Sequence, residues 1–137
     1  MKTRTRRRLP IRLAIVLLLA APPALAGSDF AGRVQQAKLA EAAATGPGYQ
    51  KALWAQIGTA TGHAYQACLK ASTPQDKTPF TLVLALDTHG KPHDVAAQPA
   101  IPVAECMVKT FAGWTFPVPP AKPAPYPLEI DFSVTGE

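Results

Sequence analysis

The sequence predicts an α+β fold of two layers, in which a three-stranded antiparallel sheet is covered by helices on one face. Two segments alternate apolar and polar residues as β-strands do, and two others repeat apolar residues every three or four positions as helices do. The two helical segments each contain one cysteine, Cys68 and Cys106. The predicted order is therefore ββαβ, preceded by amino-terminal helices.

The first 26 residues have the composition of a secretory signal peptide. Met1 to Arg12 contain six of the 14 Lys and Arg residues, an apolar run follows, and Ala24-Leu25-Ala26 offers the small residues that signal peptidase recognises. The apolar run is about half of the roughly 20 residues that a membrane-spanning helix needs. We therefore expect cleavage after Ala26 and export of the mature chain. Retention of this segment as a membrane anchor is the alternative.

Removal of the signal changes the charge of the chain. The whole sequence has a formal charge of +5, but residues 27–137 hold eight Lys and Arg against nine Asp and Glu, a charge of −1. Because the basic residues belong mainly to the targeting segment, nucleic-acid binding is not expected. The remaining length of about 110 residues suits one domain.

An Ala-rich segment, residues 27–48, precedes the domain proper. We expect a helix from Ser28, with Ser28 as the N-cap and Asp29 in the first turn, which ends at the Gly-Pro-Gly sequence of residues 46–48. The domain itself is placed at residues 49–137, and its first helix is expected from Tyr49 to Lys70.

A strand is predicted from Phe80 to Asp87. It is apolar on much of both faces, which is typical of the centre of a sheet. Turn residues follow, with Gly90 available for a positive φ. The more polar segment His93 to Gln98 has a proline on each side and is expected at an edge of the sheet.

A third helix is expected to begin at Pro102, because proline is favoured at the first helical position. Its buried stripe consists of Val103, Met107 and Phe111. A proline-rich connector, residues 117–127, leads to a final strand at Leu128 to Val134, which alternates apolar and polar residues and so has one polar face. A crossing helix between the strands gives the sheet order 2-1-3.

Export also determines how the cysteines are interpreted. Two cysteines in an oxidising compartment usually pair, so we expect a Cys68–Cys106 disulfide that ties two helices to the same face of the sheet.

This arrangement resembles the carboxy-terminal domain of the TonB family over about Ala64 to Val134. The resemblance rests on Asp87-x-x-Gly90, the hairpin, the Trp114-Thr-Phe-Pro117 element and the final Pro127-Leu-Glu-Ile-Asp-Phe-Ser-Val134. The cysteines match the pair of a cysteine-bearing branch of such domains. The resemblance implies a periplasmic module that binds envelope proteins, often by strand addition at a sheet edge. The Tyr-Pro element that usually precedes the first strand is missing, and a long proline-rich spacer is not seen, so energy transduction is not inferred.

The last strand is the predicted partner-binding surface, with two aromatic residues of the Trp-x-Phe-Pro element beside it. An unpaired strand edge offers backbone N–H and C=O groups to a partner. We expect the two acidic side chains on its polar face to oppose self-association and to admit a basic partner. The residues concerned are Leu128, Glu129, Ile130, Asp131, Phe132, Trp114 and Phe116.

No catalytic motif is found. The sequence has no Gly-rich phosphate loop, nucleophile elbow or paired-carboxylate helix, so we expect a binding protein with no cofactor and no small-molecule substrate. Asp87, His89, His93 and Asp94 cluster at the hairpin but are also ordinary turn residues. One alternative is a metal-binding or metal-dependent protein that uses His89 and His93, with Asp87 as a third ligand. A membrane-anchored TonB-like transport accessory protein is the other.

Overall fold

The computed structural model describes residues 29–134. The predicted signal peptide, its cleavage site after Ala26 and the predicted N-cap Ser28 lie outside these residues. No helix between residues 29 and 134 is long and apolar enough to cross a membrane.

The predicted α+β fold is confirmed in its element order and sheet topology. The sheet is three-stranded and antiparallel, with the strand order β2-β1-β3. The elements are α1 (Phe30–Ala42), α2 (Gly46–Ala71), β1 (Phe80–Leu86), β2 (Pro92–Gln98), α3 (Pro102–Ala112) and β3 (Tyr126–Phe132).

The central strand β1 has different registers with its two neighbours. With β3 the pairing is continuous over seven residues, from Phe80 opposite Phe132 to Leu86 opposite Tyr126. With β2 the register shifts between Val83 and Ala85. The two edges of the sheet therefore differ in regularity, although both strands have the same length.

One face of the sheet forms the core. The even-numbered residues of β1 point to this face, because side chains alternate along a strand, and α2 and α3 pack on it. The prediction that the two cysteine-bearing helices share one face is confirmed, and a disulfide joins Cys68 to Cys106. The predicted stripe of α3 is confirmed as well, since Val103, Met107 and Phe111 are fully buried.

Two helix starts differ from the expectation. Asp29 is the N-cap of α1, because its carboxylate accepts a hydrogen bond from the Gly32 N–H at 2.7 Å. The second helix was expected to begin at Tyr49, after the Gly-Pro-Gly sequence. α2 instead begins at Gly46, so this sequence forms its first turn. Proline is compatible with that turn because the first N–H groups of a helix have no intrahelical acceptor.

The hairpin turn contacts the Trp-x-Phe-Pro element. Gly90 has a φ of +76°, and a Cβ at this position would lie 2.1 Å from the Phe116 carbonyl oxygen. The Phe116 N–H in turn donates to the Gly90 carbonyl at 2.9 Å. Both the positive φ and the close backbone contact require glycine here.

α1 lies against the other face of the sheet. Lys38 Nζ donates to Glu129 Oε1 at 2.9 Å, and Glu129 alternates with core residues of β3. The Arg33 guanidinium donates to the Asp94 carbonyl on β2. Val83, which faces this side, is 1% exposed. The sequence had not assigned α1 to a face.

Candidate binding edge

Within the described residues, β3 has a neighbouring strand on one side only. Pro127 shows which backbone groups face the open side. A strand accepts proline where the nitrogen points away from its neighbour, because no N–H is then missing from the ladder. Since N–H groups of alternate residues point to the same side, the backbone groups of Glu129 and Asp131 also face the open side and are available to a further strand.

β2 is the other edge, but it is irregular. Asp94 has a φ of 51°, unusual for a residue with a side chain, and lies where the β1–β2 register shifts. Such a bulge bends the strand and interrupts the row of backbone groups that a new strand would need. The regular edge of β3 is therefore the better template for strand addition.

A groove runs between α2 and the open edge of β3. It has a volume of about 170 Å³. Trp54, Thr61 and Tyr65 form the α2 side, and residues 130–133 form the β3 side. Trp54 is 44% exposed, although large apolar side chains on a small protein are usually better covered. The α2 side of the groove thus includes an exposed tryptophan.

Aromatic side chains fix the positions of the groove walls. The ring of Phe132 stacks on Phe80 with a centroid distance of 4.7 Å and on Tyr65 at 5.9 Å. Burial raises the pKa of Tyr65, with a smaller contribution from Asp76. Because these rings join α2, β1 and β3, the groove is bounded by rigid elements and not by loops.

The predicted binding residues of β3 differ in their exposure. Leu128 and Ile130 are buried in the core, so they offer a partner their backbone and not their side chains. Phe132 is partly buried in the aromatic stack. Asp131 is exposed, and its carboxylate accepts a hydrogen bond from the Thr81 hydroxyl at 2.5 Å.

Glu129 was expected on a polar face that is open to solvent, but it is covered in the structure. Its side chain is only 8% exposed, because α1 covers it and Lys38 forms an ion pair with one of its oxygens. That hydrogen bond raises the pKa of Lys38. The polar face of β3 was correctly identified from the alternation, but the helix that covers half of it comes from the opposite end of the chain.

Trp114 and Phe116 belong mainly to the packing of α3. Phe116 is 2% exposed, and Trp114 stacks on Phe111 with a centroid distance of 4.5 Å. Phe116 therefore cannot contact a partner through its side chain. Trp114 is partly accessible but lies at the end of α3, away from the groove residues.

The hairpin cluster has the geometry of a turn. One oxygen of Asp87 accepts from the N–H groups of His89 and Lys91 at 2.8 and 2.9 Å, and the other lies 3.3 Å from His93 Nε2. These bonds, led by that from Lys91, lower the pKa of Asp87. Across residues 29–134, no three His, Cys, Asp or Glu side chains are close enough to hold a metal ion.

The groove residues of α2 were not predicted as binding residues. Trp54, Thr61 and Tyr65 are spaced by seven and four positions, so they line one side of the helix next to its buried stripe. This spacing was visible in the sequence. Its meaning was not, because only the packed structure shows that this side of α2 and the end of β3 line one groove.

Comparisons with family models, curated proteins and solved structures gave no match to this chain. The resemblance to the TonB carboxy-terminal domain therefore stays a prediction from the sequence.

Proposed function

We propose that this protein is an exported, non-enzymatic binding module that holds an extended segment of an envelope protein against the open edge of β3. The regular, unpaired edge of β3 beside an exposed tryptophan is the observation on which the proposal rests. Addition of a strand uses backbone groups that the sheet leaves free and buries apolar surface under α2. The disulfide is consistent with the oxidising environment of the periplasm.

Other activities have less support. One oxygen of Asp87 is engaged by the hairpin backbone, and no three potential metal ligands lie together within residues 29–134, so the metal-binding alternative at His89 and His93 has less support. Another groove, of about 600 Å³, lies between α1 and the proline-rich segment and is lined mainly by aliphatic and proline side chains. It offers no convergent pair of an acid and a base or a nucleophile and a base. Binding is the function that the described residues support.

Site-specific photo-crosslinking tests the edge directly. A photoreactive amino acid is placed at Ser133, beside the groove, or at Thr59, exposed on α2 and outside the groove. The full chain is expressed in bacterial cells and irradiated. We expect a crosslinked envelope protein from position 133 and none from position 59.

A pair of variants at Asp131 provides the decisive control. Asp131→Pro removes the outward N–H, whereas Asp131→Ala keeps it and also loses the carboxylate. We expect the position 133 crosslink to be weaker but still present in Asp131→Ala, which loses only the carboxylate, and to disappear in Asp131→Pro, with circular dichroism confirming that both variants are folded. Equal crosslinking in the two variants would contradict edge pairing.

A further inference from the structure

The groove between α2 and β3 contains a buried hydroxyl group without a partner. Thr61 is 7% exposed, and its Oγ1 atom forms no hydrogen bond within the described residues. A hydroxyl group can donate once and accept twice, and buried polar groups in proteins are nearly always paired. Thr61 also lines the groove, so this unpaired hydroxyl belongs to the wall that a bound segment would contact.

We propose that this groove binds a Ser or Thr side chain of the partner's extended segment, and that basic residues flank it in the segment. The inference rests on the proposed edge pairing and adds the chemistry of the bound sequence. A residue paired opposite Ile130 has its side chain on the same face as Ile130, which is the face under α2. That side chain enters the groove between Trp54 and Tyr65.

The size of the groove suits one side chain better than a small-molecule ligand. Its volume of about 170 Å³ is below the roughly 300–1,000 Å³ of pockets that bind small molecules. It accommodates one side chain of moderate size. A threonine places its methyl group against the aromatic rings and its hydroxyl next to Thr61 Oγ1.

Charge selects the neighbouring residues of the segment. Their side chains lie on the other face of the sheet, where Asp131 is exposed. Glu129 on that face is already paired with Lys38. A second copy of β3 would bring another Asp131 to the same edge, and facing like charges oppose pairing. A segment with Lys or Arg at alternate positions is therefore the expected partner.

Three synthetic peptides test this inference on the exported protein. The first is Lys-Val-Lys-Thr-Lys-Val-Lys, the second has valine in place of the threonine, and the third has glutamate in place of every lysine. Binding is measured by fluorescence anisotropy with the wild type and with Thr61→Val. We expect the first peptide to bind the wild type about fivefold more tightly than the second, the advantage of one hydrogen bond.

Thr61→Val is expected to reduce that difference to less than about twofold. It should leave the midpoint of thermal unfolding unchanged or higher, because it replaces an unpaired buried hydroxyl with a methyl group of the same shape. The glutamate peptide should bind at least about tenfold more weakly than the first, and the difference should shrink as salt is added.

Each other result overturns a defined part of the proposal. The inferred partner chemistry is overturned if Thr61→Val keeps the full preference for threonine, or if neither lysine peptide binds the wild type. In both cases the crosslinking test still decides whether the edge pairs with a partner strand. Lysine-peptide binding that survives Asp131→Pro counts against edge pairing itself. A dimer in sedimentation that Asp131→Pro dissociates would assign the edge to a second copy of the chain.

Discussion

The two faces of the sheet hold their helices in different ways. On the core face, α2 and α3 pack through apolar side chains that are almost completely buried, and a disulfide joins the two helices. On the other face, α1 buries two alanines and is tied to the strands by Lys38 and Arg33. Because apolar burial is the dominant stabilising contribution, stability should be concentrated on the core face.

The largest effect expected from this difference is that of a truncation in the core. Leu82 is 0% exposed, and Leu82→Ala should lower the free energy of unfolding by about 2–5 kcal/mol through lost burial and a cavity. Leu39 on α1 is 62% exposed, and Leu39→Ala should change the free energy of unfolding by less than about 0.5 kcal/mol. Urea unfolding measures both. Similar losses in the two variants would refute the asymmetry between the faces.

The disulfide should have the next largest effect. It links residues 38 positions apart, and its loss should lower the free energy of unfolding by about 2–4 kcal/mol, since the unfolded chain regains loop entropy. The double variant Cys68→Ala, Cys106→Ala is compared with wild type in urea, with and without dithiothreitol. Dithiothreitol should destabilise only the wild type. If the wild type is equally stable with and without dithiothreitol, the disulfide contributes little.

Tyr49 is the fourth residue of α2 and lies close to the connection from α1. Its ring packs against Tyr126, its hydroxyl donates to the Pro117 carbonyl at 3.0 Å, and burial raises its pKa to about 12. In the unfolded chain a tyrosine has a pKa of about 10. Stability from this group is therefore complete below pH 10 and is lost as the pH rises toward 12.

Tyr49→Phe should make the loss of stability at alkaline pH less steep. It should also cost about 1 kcal/mol at neutral pH, because one hydrogen bond is lost. The decline should not vanish, since burial also raises the pKa values of Tyr126 and Tyr65. Urea unfolding at several pH values between 8 and 12 provides the measurement. Parallel pH curves for the variant and the wild type would contradict this role.

The smallest effect is expected at the attachment of α1. Lys38→Met removes the ion pair with Glu129 and should let the amides of α1 exchange with solvent a few times faster, whereas those of α3 stay unchanged. Hydrogen exchange with mass spectrometry resolves the two helices. Lys51→Met, which removes an exposed charge from α2, is the matched control. Equal acceleration in α1 and α3 would mean that α1 unfolds only together with the core.

Much of the fold followed from local patterns, whereas the site did not. The alternation in β1 and β3 identified the face that became the core, and the turn around Gly90 was anticipated from its residue types. The predicted binding strand is indeed an edge strand. The α2 side of the groove was missed, because the exposure of Trp54 depends on where the sheet ends.

The sequence by itself determined the order of helices and strands, the buried faces of β1 and β3 and the pairing of the two cysteines, because these depend on periodicity, turn chemistry and the presence of one cysteine pair. Only the tertiary structure decided that α1 covers Glu129, that α2 and β3 line one groove and that Thr61 is buried without a partner. Lys38 and Glu129 are 91 positions apart. Contacts of this kind depend on the relative placement of whole elements, which a local pattern does not encode.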